Sequence, residues 1–248
     1  MTHTAGTDGS PPALGHWLPD GASLIDSPDA FKAAIGDLRT PVVVVRTDHG
    51  SALARGGFVA LGTASDKEGK PVAAYLPPLP AQQLGDPAFL QEHGLRYAYM
   101  TGAMANGIAS AEIVEAMSRA GMLSSFGAAG LSLERISAAI DRLKSSLGDA
   151  PYCVNLIHSP NEPAHETATA DLLLKKGVSL VEASAYLDLT PAIVRYRVAG
   201  FRGGVAGLVV PLNRVIAKVS RVEVATKFLS PPPDRILKEL VAANLITQ

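Results

Sequence analysis

From about residue 96 onward, the sequence alternates between short apolar runs typical of strands and longer amphipathic runs typical of helices. The predicted strands cover residues 96–103, 123–128, 152–158, 178–185 and 215–220. The predicted helices cover residues 110–120, 132–147, 162–176 and 191–199. Because parallel strands are joined by crossovers of about this size, the alternation predicts a parallel sheet covered by helices, either doubly wound or rolled into a barrel.

The alternating region predicts five strands, whereas a closed (β/α)8 barrel has eight. After the fifth strand, residues 223–243 predict two helical pieces, which the prolines at 231–233 separate because proline cannot continue a helix. If the sheet is of the barrel type, the sequence therefore predicts an incomplete barrel.

Residues 13–90 lack this regular alternation of strands and helices and predict a small strand-rich N-terminal region. Three β-type runs, punctuated by glycine and proline, lie at residues 41–46, 56–62 and 71–76. A short helix is predicted at 27–35, where Ser27 precedes a proline and can act as an N-cap. Residues 1–12 are rich in Thr, Gly and Ser and predict a flexible leader rather than a signal peptide or a membrane anchor.

The composition excludes several classes of protein. Lys and Arg number 22 and Asp and Glu number 23, so no overall field would attract a nucleic acid or an anionic membrane. No apolar run reaches the roughly 20 residues that a membrane-spanning helix needs. Cys153 is the one cysteine, so we expect no internal disulfide, no metal site of the zinc–cysteine type and a reducing compartment, the cytoplasm. The common nucleotide, metallopeptidase and hydrolase signatures GxGxxG, GxxxxGK, HExxH and GxSxG are also absent.

The loop at residues 100–107 is crowded with small residues where a predicted strand hands over to a helix. In parallel α/β folds, ligands bind at this edge of the sheet, and small residues let the backbone approach a flat ligand closely. The alternative is a tight turn in which Gly102 and Gly107 only supply conformational freedom. The sequence leaves both interpretations open.

Five polar side chains interrupt or end the apolar predicted strands. Asn155 and Ser184 need hydrogen-bond partners there, either in a ligand or in the neighbouring backbone. Lys218 stands among aliphatic residues, where its ammonium would lie over a barrel mouth beside an electron-rich or phosphorylated ligand, or would snorkel to the rim. Glu182 either pairs with Lys218 or points outwards. His158 is either an acid or polar wall of a pocket, or a strand-end histidine in a wet loop.

Five segments, in order, resemble the PfaD/PksE family. They are residues 99–110, 125–130, 152–157, 181–186 and 213–220. That family is similar to nitronate monooxygenases and FabK-type enoyl reductases, which are FMN-binding (β/α)8 barrels, and its members serve polyunsaturated fatty-acid and polyketide synthases as separate enoyl reductases. The resemblance implies an α/β fold of the (β/α)8 TIM-barrel type, incomplete, of which residues 91–248 form the first part.

The resemblance also implies a cofactor, a reaction and a set of contact residues. FMN would relay hydride from NAD(P)H to the β-carbon of a 2-enoyl thioester held on an acyl carrier protein. The implied cofactor-binding residues are Gly102, Ala103, Met104, Asn155, Ser184 and Lys218. Lys218 would help to stabilise the charge that develops on the reduced flavin.

The sequence departs from the family pattern at its C-terminal end. Family members continue with a strand that ends in a Gly-Gly-His motif and with glycine-rich loops that hold the FMN phosphate, and this sequence has neither. We therefore expect an incomplete chain with no catalytic residue assigned: an N-terminal fragment, a split gene product or a partial record. In one variant of this hypothesis, a second chain completes the barrel. Two alternatives stay open: a nitronate monooxygenase, and a non-catalytic module that docks on an acyl carrier protein or a synthase.

Overall fold

A computed structural model describes residues 13–61, 69–203 and 207–247 of the 248-residue chain. Two compact units, Met1–Leu84 and Gly85–Gln248, make up the chain. The predicted leader at residues 1–12 lies outside the described residues. The division into this leader, a region at 13–90 and a barrel segment at 91–248 stays a prediction.

The first unit contains one antiparallel sheet of six strands. The strands are β1 (Gly15–Leu18), β2 (Leu24–Ile25), β3 (Val42–Thr47), β4 (Gly50–Ala54), β5 (Phe58–Leu61) and β6 (Lys70–Leu76). Their order across the sheet is β2-β4-β3-β6-β1-β5. Helix α1 (Pro28–Gly36) begins after Ser27, whose Oγ accepts a hydrogen bond from the Ala30 amide, so the predicted N-cap is confirmed.

Three strands of this sheet match the predicted β-type runs, and three were missed by the sequence pattern. β3, β5 and β6 correspond to the predicted runs, although residue 62 of the second run lies outside the described residues. The missed strands β1, β2 and β4 are short and lack a β-branched run. β1 owes its place to packing, because Trp17 is buried against Val45 and Val72 and donates its indole N–H to the Gly56 carbonyl at 2.9 Å.

In its described residues, the second unit has seven strands, of which five form a parallel sheet and two form a hairpin. Its strands are β7 (Met100–Thr101), β8 (Leu123–Phe126), β9 (Cys153–Ile157), β10 (Leu180–Ser184), β11 (Phe201–Gly203), β12 (Val209–Pro211) and β13 (Arg214–Ala217). The parallel sheet has the order β13-β10-β9-β8-β7, while β11 and β12 form a separate antiparallel hairpin. The sheet is a curled half-barrel covered by helices, which confirms the predicted α/β fold and its five strands.

Helices connect and follow the parallel strands. They are α2 (Pro87–His93), α3 (Ala111–Arg119), α4 (Leu133–Leu147), α5 (Pro163–Lys175), α6 (Pro191–Val198), α7 (Val222–Leu229) and α8 (Asp234–Ala242). The hydroxyls of Ser110, Ser132 and Thr190 each accept a hydrogen bond from an amide in the first turn of α3, α4 and α6. The two predicted helical pieces around prolines 231–233 are α7 and α8. Within the described residues, no helix is both long and apolar enough to span a bilayer.

Some element bounds differ from the prediction for identifiable reasons. The first predicted strand, 96–103, shrinks to β7 because the Arg96 and Tyr97 amides both donate to the Gly121 carbonyl instead of joining a ladder. The fifth strand ends at Ala217, so Lys218 directly follows it, and the Lys218 amide donates to the Ala183 carbonyl at 2.8 Å. The short α2 and the β11–β12 hairpin were missed because a few residues carry a weak periodic signal.

The two faces of the parallel sheet differ in chemistry. On the helix-facing side, the buried residues of β9 and β10 are apolar, namely Val154, Leu156, Val181 and Ala183. On the other side, a second apolar cluster covers the N-terminal part of the strands and contains Leu123, Cys153, Leu180 and, from α2, Phe89. Asn155 and Glu182 lie two residues beyond Cys153 and Leu180, and therefore on the same side, because side chains alternate along a strand. This side is apolar at its start and polar at the C-terminal ends of the strands.

Cys153 is expected to be unreactive while the second unit is folded. Its side chain is fully buried, and burial raises the pKa of the thiol, so the reactive thiolate hardly forms near neutral pH. Labelling with a chromogenic disulfide reagent should therefore be limited by unfolding, and denaturant should release the single thiol of the chain. Rapid labelling of the native protein at about pH 8 would contradict this placement of Cys153.

Candidate functional site

The C-terminal ends of the parallel strands bring five of the six predicted site residues together. They are Gly102 and Ala103 after β7, Asn155 on β9, Ser184 on β10 and Lys218 after β13. The sixth member of the group is Glu182 on β10, which pairs in register with Asn155 and contacts residues from both edges of the sheet. These six residues are called the strand-end cluster below.

Glu182 and Lys218 form an ion pair at the centre of the strand-end cluster. Lys218 Nζ lies 2.7 Å from Glu182 Oε1, and the Ala103 amide donates to Glu182 Oε2 at 2.7 Å. Glu182 Oε1 is buried, and apart from the Lys218 ammonium it has no hydrogen-bond partner among the described residues. The Glu182 side chain is 1% exposed and that of Lys218 is 55% exposed. Glu182 therefore pairs with Lys218, which is one of the two alternatives that the sequence left open.

Gly102 lies beside this ion pair and places no side chain against it. A β-carbon on Gly102 would lie 3.4 Å from Glu182 Oε1 and 3.5 Å from Lys218 Nζ, which is ordinary van der Waals contact. Its φ lies outside the left-handed region, so the backbone conformation does not itself require glycine here. The glycine therefore keeps the space next to the pair free of side-chain atoms.

Asn155 is satisfied by its neighbours in the sheet. Its Nδ2 donates to the Glu182 carbonyl at 3.0 Å and to Ser184 Oγ at 2.7 Å. Both amide hydrogens are thus used within the protein, which is the second of the two alternatives that the sequence left for this residue. Whether Asn155 and Ser184 also contact a cofactor stays a prediction.

Met104, the remaining predicted residue, belongs to a loop that is joined to the loop after β8. The Asn106 amide donates to the Ala129 carbonyl at 2.7 Å, and the Gly107 amide donates to the Gly127 carbonyl at 2.9 Å. The Met104 carbonyl accepts from the Ala109 amide at 3.3 Å, while its side chain is exposed. Met104 has no contact with Glu182 or Lys218 among the described hydrogen bonds and ion pairs, and its role at a cofactor stays a prediction.

A second polar group, centred on Glu166 of α5, was missed by sequence reasoning. The buried Glu166 carboxylate interacts with His158 Nδ1 at 2.9 Å and accepts hydrogen bonds from the Ser159 amide at 3.1 Å, the Tyr186 hydroxyl at 3.1 Å and the Thr190 hydroxyl. The His158 and Tyr186 rings stack with centroids 5.4 Å apart. Burial and the neighbouring Glu166 carboxylate raise the pKa of Tyr186.

This arrangement gives His158 a fixed orientation at the end of β9 rather than a free position in a wet loop. The signal that could have revealed it is the position of Glu166 on the same face of α5 as the buried Thr169, Ala170 and Leu173. Neither this group nor any other within the described part of the chain brings together three side chains that could hold a metal ion.

A large groove lies along the open edge of the parallel sheet, apart from the Glu182–Lys218 pair. It has a volume of about 1460 Å³ and is lined mainly by apolar residues of α6, β13, α7 and α8, including Ile193, Val215, Phe228 and Leu237. Among the described strands, β13 is paired on one side, by β10. The groove does not include Glu182 or Lys218, so its size is no evidence for a site at the strand-end cluster.

Comparisons with known proteins find relatives from polyketide and polyunsaturated fatty-acid biosynthesis. No protein-family model matches the chain. The chain is 46% identical over 168 residues to the polyketide biosynthesis protein PksE of Bacillus subtilis, covering 67% of this chain and 22% of that protein. It is 45% identical over 176 residues to one of the polyunsaturated fatty acid synthase subunits of Thraustochytrium sp., covering 71% of this chain and 12% of that protein. The chain thus spans less than a quarter of the length of these curated relatives.

A solved structure supports the same assignment. The enoyl reductase domain of MlnA from the macrolactin biosynthesis cluster of Bacillus amyloliquefaciens superposes with a TM-score of 0.65 at 40% sequence identity. The match covers 68% of this chain and 38% of that domain's chain. By sequence and by structure, the chain belongs to the PfaD/PksE family and spans a part of the length of its relatives.

Proposed function

We propose that this chain is part of an FMN-dependent, trans-acting enoyl reductase of polyunsaturated fatty-acid or polyketide biosynthesis. Its reaction would be the NAD(P)H-dependent reduction of 2-enoyl thioesters on an acyl carrier protein, in the cytoplasm. The observation that carries the proposal is the Glu182–Lys218 pair beside Gly102 at the strand ends, in a chain 40% identical to an enoyl reductase domain. The proposed cofactor-binding residues are Gly102, Ala103, Met104, Asn155, Ser184 and Lys218.

The strand-end cluster fits the ring system of a flavin. That ring is flat and carries carbonyl acceptors together with an N–H donor. The half-exposed Lys218 side chain offers its ammonium to these acceptors, and Gly102 leaves room for a flat surface. These groups suit the ring, and no residue of the chain is assigned to the phosphate.

The residues of the chain would bind and polarise the cofactor rather than react themselves. Bound FMN would supply hydride transfer between NAD(P)H and the β-carbon of the enoyl thioester. The Lys218 ammonium would stabilise negative charge that develops beside it, and it acts more strongly where water is partly excluded. The Gly102–Ala103 backbone would line the ring, and the exposed Met104 side chain would cover its edge. No residue of the chain is assigned as the acid that protonates the α-carbon.

Two partners belong to the proposal. An acyl carrier protein would present the thioester, because the named relatives belong to polyketide and fatty-acid synthase systems. A second chain would complete the barrel, and its first strand would add at the edge of β13 beside the apolar groove, which pairs with no strand among the described residues. The similarity to a solved enoyl reductase domain, at 40% identity, favours an enoyl reductase over a nitronate monooxygenase.

FMN retention tests this proposal. We expect the purified chain, mixed with FMN and desalted, to retain flavin absorbance near one equivalent per chain and to quench flavin fluorescence. Lys218→Met should weaken retention, whereas Lys175→Met, which removes an exposed cation from α5, should not. NAD(P)H-dependent reduction of a crotonyl thioester on a carrier protein then tests the reaction.

The opposite outcome is equally informative. A folded chain, identified by a protected Cys153 thiol, that retains no FMN would contradict the assignment of FMN binding to this chain. If that chain still bound the carrier protein, the result would favour the non-catalytic docking module.

A further inference from the structure

One buried carboxylate connects both edges of the parallel sheet. Glu182 Oε2 accepts a hydrogen bond from the Ala103 amide at 2.7 Å, directly after the edge strand β7. Glu182 Oε1 lies 2.7 Å from Lys218 Nζ, directly after the opposite edge strand β13. β8 and β9 separate β10, which carries Glu182, from β7. Because the sheet is curled, a single side chain holds the ends of its first, fourth and fifth strands together.

The unequal exposure of the two charges indicates a role beyond holding the sheet. A buried ion pair is weak evidence for stability, since well-packed apolar residues often replace one at no cost. Here the carboxylate is 1% exposed, while the lysine side chain is 55% exposed and lies beside the open space at Gly102. A solute can therefore reach the cation but not the carboxylate that anchors it.

The Ala103 amide is anchored by the same carboxylate, and this anchoring is directional. An amide that donates to a carboxylate forms a charge-assisted hydrogen bond, which is stronger and more restrictive than a neutral one. Gly102 has no side chain to hold its backbone in place, so the adjacent hydrogen bond from Ala103 to Glu182 limits its movement. The open surface at Gly102 and the cation at Lys218 are thus held relative to one another.

We propose that Glu182 is the positioning residue of the strand-end cluster, holding the Gly102–Ala103 backbone with one oxygen and the Lys218 ammonium with the other, without itself contacting the ligand. The ligand would then meet a preformed surface and a cation of fixed position, which lowers the cost of ordering long side chains on binding. The inference rests on the proposed function in one respect, because FMN is taken as that ligand.

Two substitutions of Glu182 separate its two tasks. Glu182→Gln keeps the length of the side chain and an oxygen that accepts from the Ala103 amide, but it removes the charge that holds Lys218. Glu182→Met keeps a similar length and removes both. Glu115→Gln is the matched control, because Glu115 is also buried and paired, with Arg142 Nε at 2.9 Å, on helices α3 and α4.

Amide exchange and FMN affinity report these tasks separately. We expect the hydrogen exchange of the Ala103 amide, followed by NMR, to be only slightly faster in Glu182→Gln, which keeps a neutral acceptor, and about tenfold faster or more in Glu182→Met. FMN affinity, from fluorescence quenching, should fall by about tenfold in Glu182→Gln and by more in Glu182→Met, which also frees the Ala103 amide. Adding Lys218→Met to Glu182→Gln should cause no further loss, because both changes act through the same cation. Glu115→Gln should match the unsubstituted protein in both measurements.

Several outcomes would overturn the inference. They are tight FMN binding by Glu182→Gln, unchanged Ala103 exchange in Glu182→Met, or additive losses from Glu182→Gln and Lys218→Met. If the unsubstituted chain binds no FMN, the proposed function fails and the inference is decided without cofactor. In that case, coupled effects of Glu182→Gln and Lys218→Met on urea unfolding, together with the Ala103 exchange, sustain the positioning role, and additive effects refute it.

Discussion

Replacing Gly127 with alanine is expected to lower the free energy of unfolding of the second unit by about 3 kcal/mol or more. A β-carbon on Gly127 would lie 1.7 Å from the Met104 carbonyl oxygen, which belongs to the backbone and cannot rotate away as a side chain would. The loops cannot separate without losing the hydrogen bonds that join Gly107 and Ala109 to Gly127, both 2.9 Å long. Gly127 is therefore required for the close approach of the loops after β7 and β8.

The urea dependence of Cys153 labelling measures this effect, because the buried thiol lies in the same unit. Gly203→Ala is the matched control, since a β-carbon there would have no atom of the described residues within 4 Å and its φ lies outside the left-handed region. Its unfolding free energy should stay within about 0.5 kcal/mol of the unsubstituted protein. Equal stability of Gly127→Ala and Gly203→Ala would mean that the two loops are not joined in this way.

The alternation of strands and helices was predictable because each element carries its own local signal. α4, for example, begins at a serine cap and ends before a glycine, and its buried residues Ile136, Ile140 and Leu143 recur at helical spacing. The parallel order of the sheet then follows from the length of the crossovers. The strand bounds were less predictable, because a strand ends where its partner does. β7 pairs with β8 over two residues, although its sequence could extend further.

Part of the strand-end cluster was also predictable, since polar residues near the ends of parallel strands share one edge of the sheet. That rule places Asn155, Ser184 and Lys218 together, but it does not give the curl of the sheet. The curl lets Glu182 reach residues that follow both edge strands. Spacing along the chain could therefore not show whether the Glu182 side chain pairs with Lys218 or points outwards.

The group around Glu166 escaped sequence reasoning for a different reason. Its donors come from the loop after β9, from the loop after β10 and from the cap of α6, so no local spacing unites them. A glutamate in the first turn of a helix is ordinarily explained by the helix dipole, and that explanation needs no burial. The distinguishing property of Glu166 is that it is buried, and burial follows from tertiary packing.

Replacing Glu166 with methionine is expected to lower the free energy of unfolding by about 3 kcal/mol. The substitution leaves the His158 ring, the Ser159 amide and the Tyr186 and Thr190 hydroxyls without their common acceptor in a buried site. Methionine is uncharged, so the variant avoids the free-energy cost of burying a carboxylate, and this gain offsets part of the loss. Glu166→Gln should cost about half as much, since one acceptor oxygen remains and the amide group faces donors.

Glu162→Gln is the control for these two variants, because Glu162 is exposed at the start of the same helix and makes no side-chain cap hydrogen bond. Urea unfolding followed by Cys153 labelling should rank the proteins as Glu162→Gln, then Glu166→Gln, then Glu166→Met, from most to least stable. If Glu166→Met were as stable as Glu162→Gln, the carboxylate would not hold the loops after β9 and β10. The orientation of His158 at the strand ends would then depend on its stacking with Tyr186.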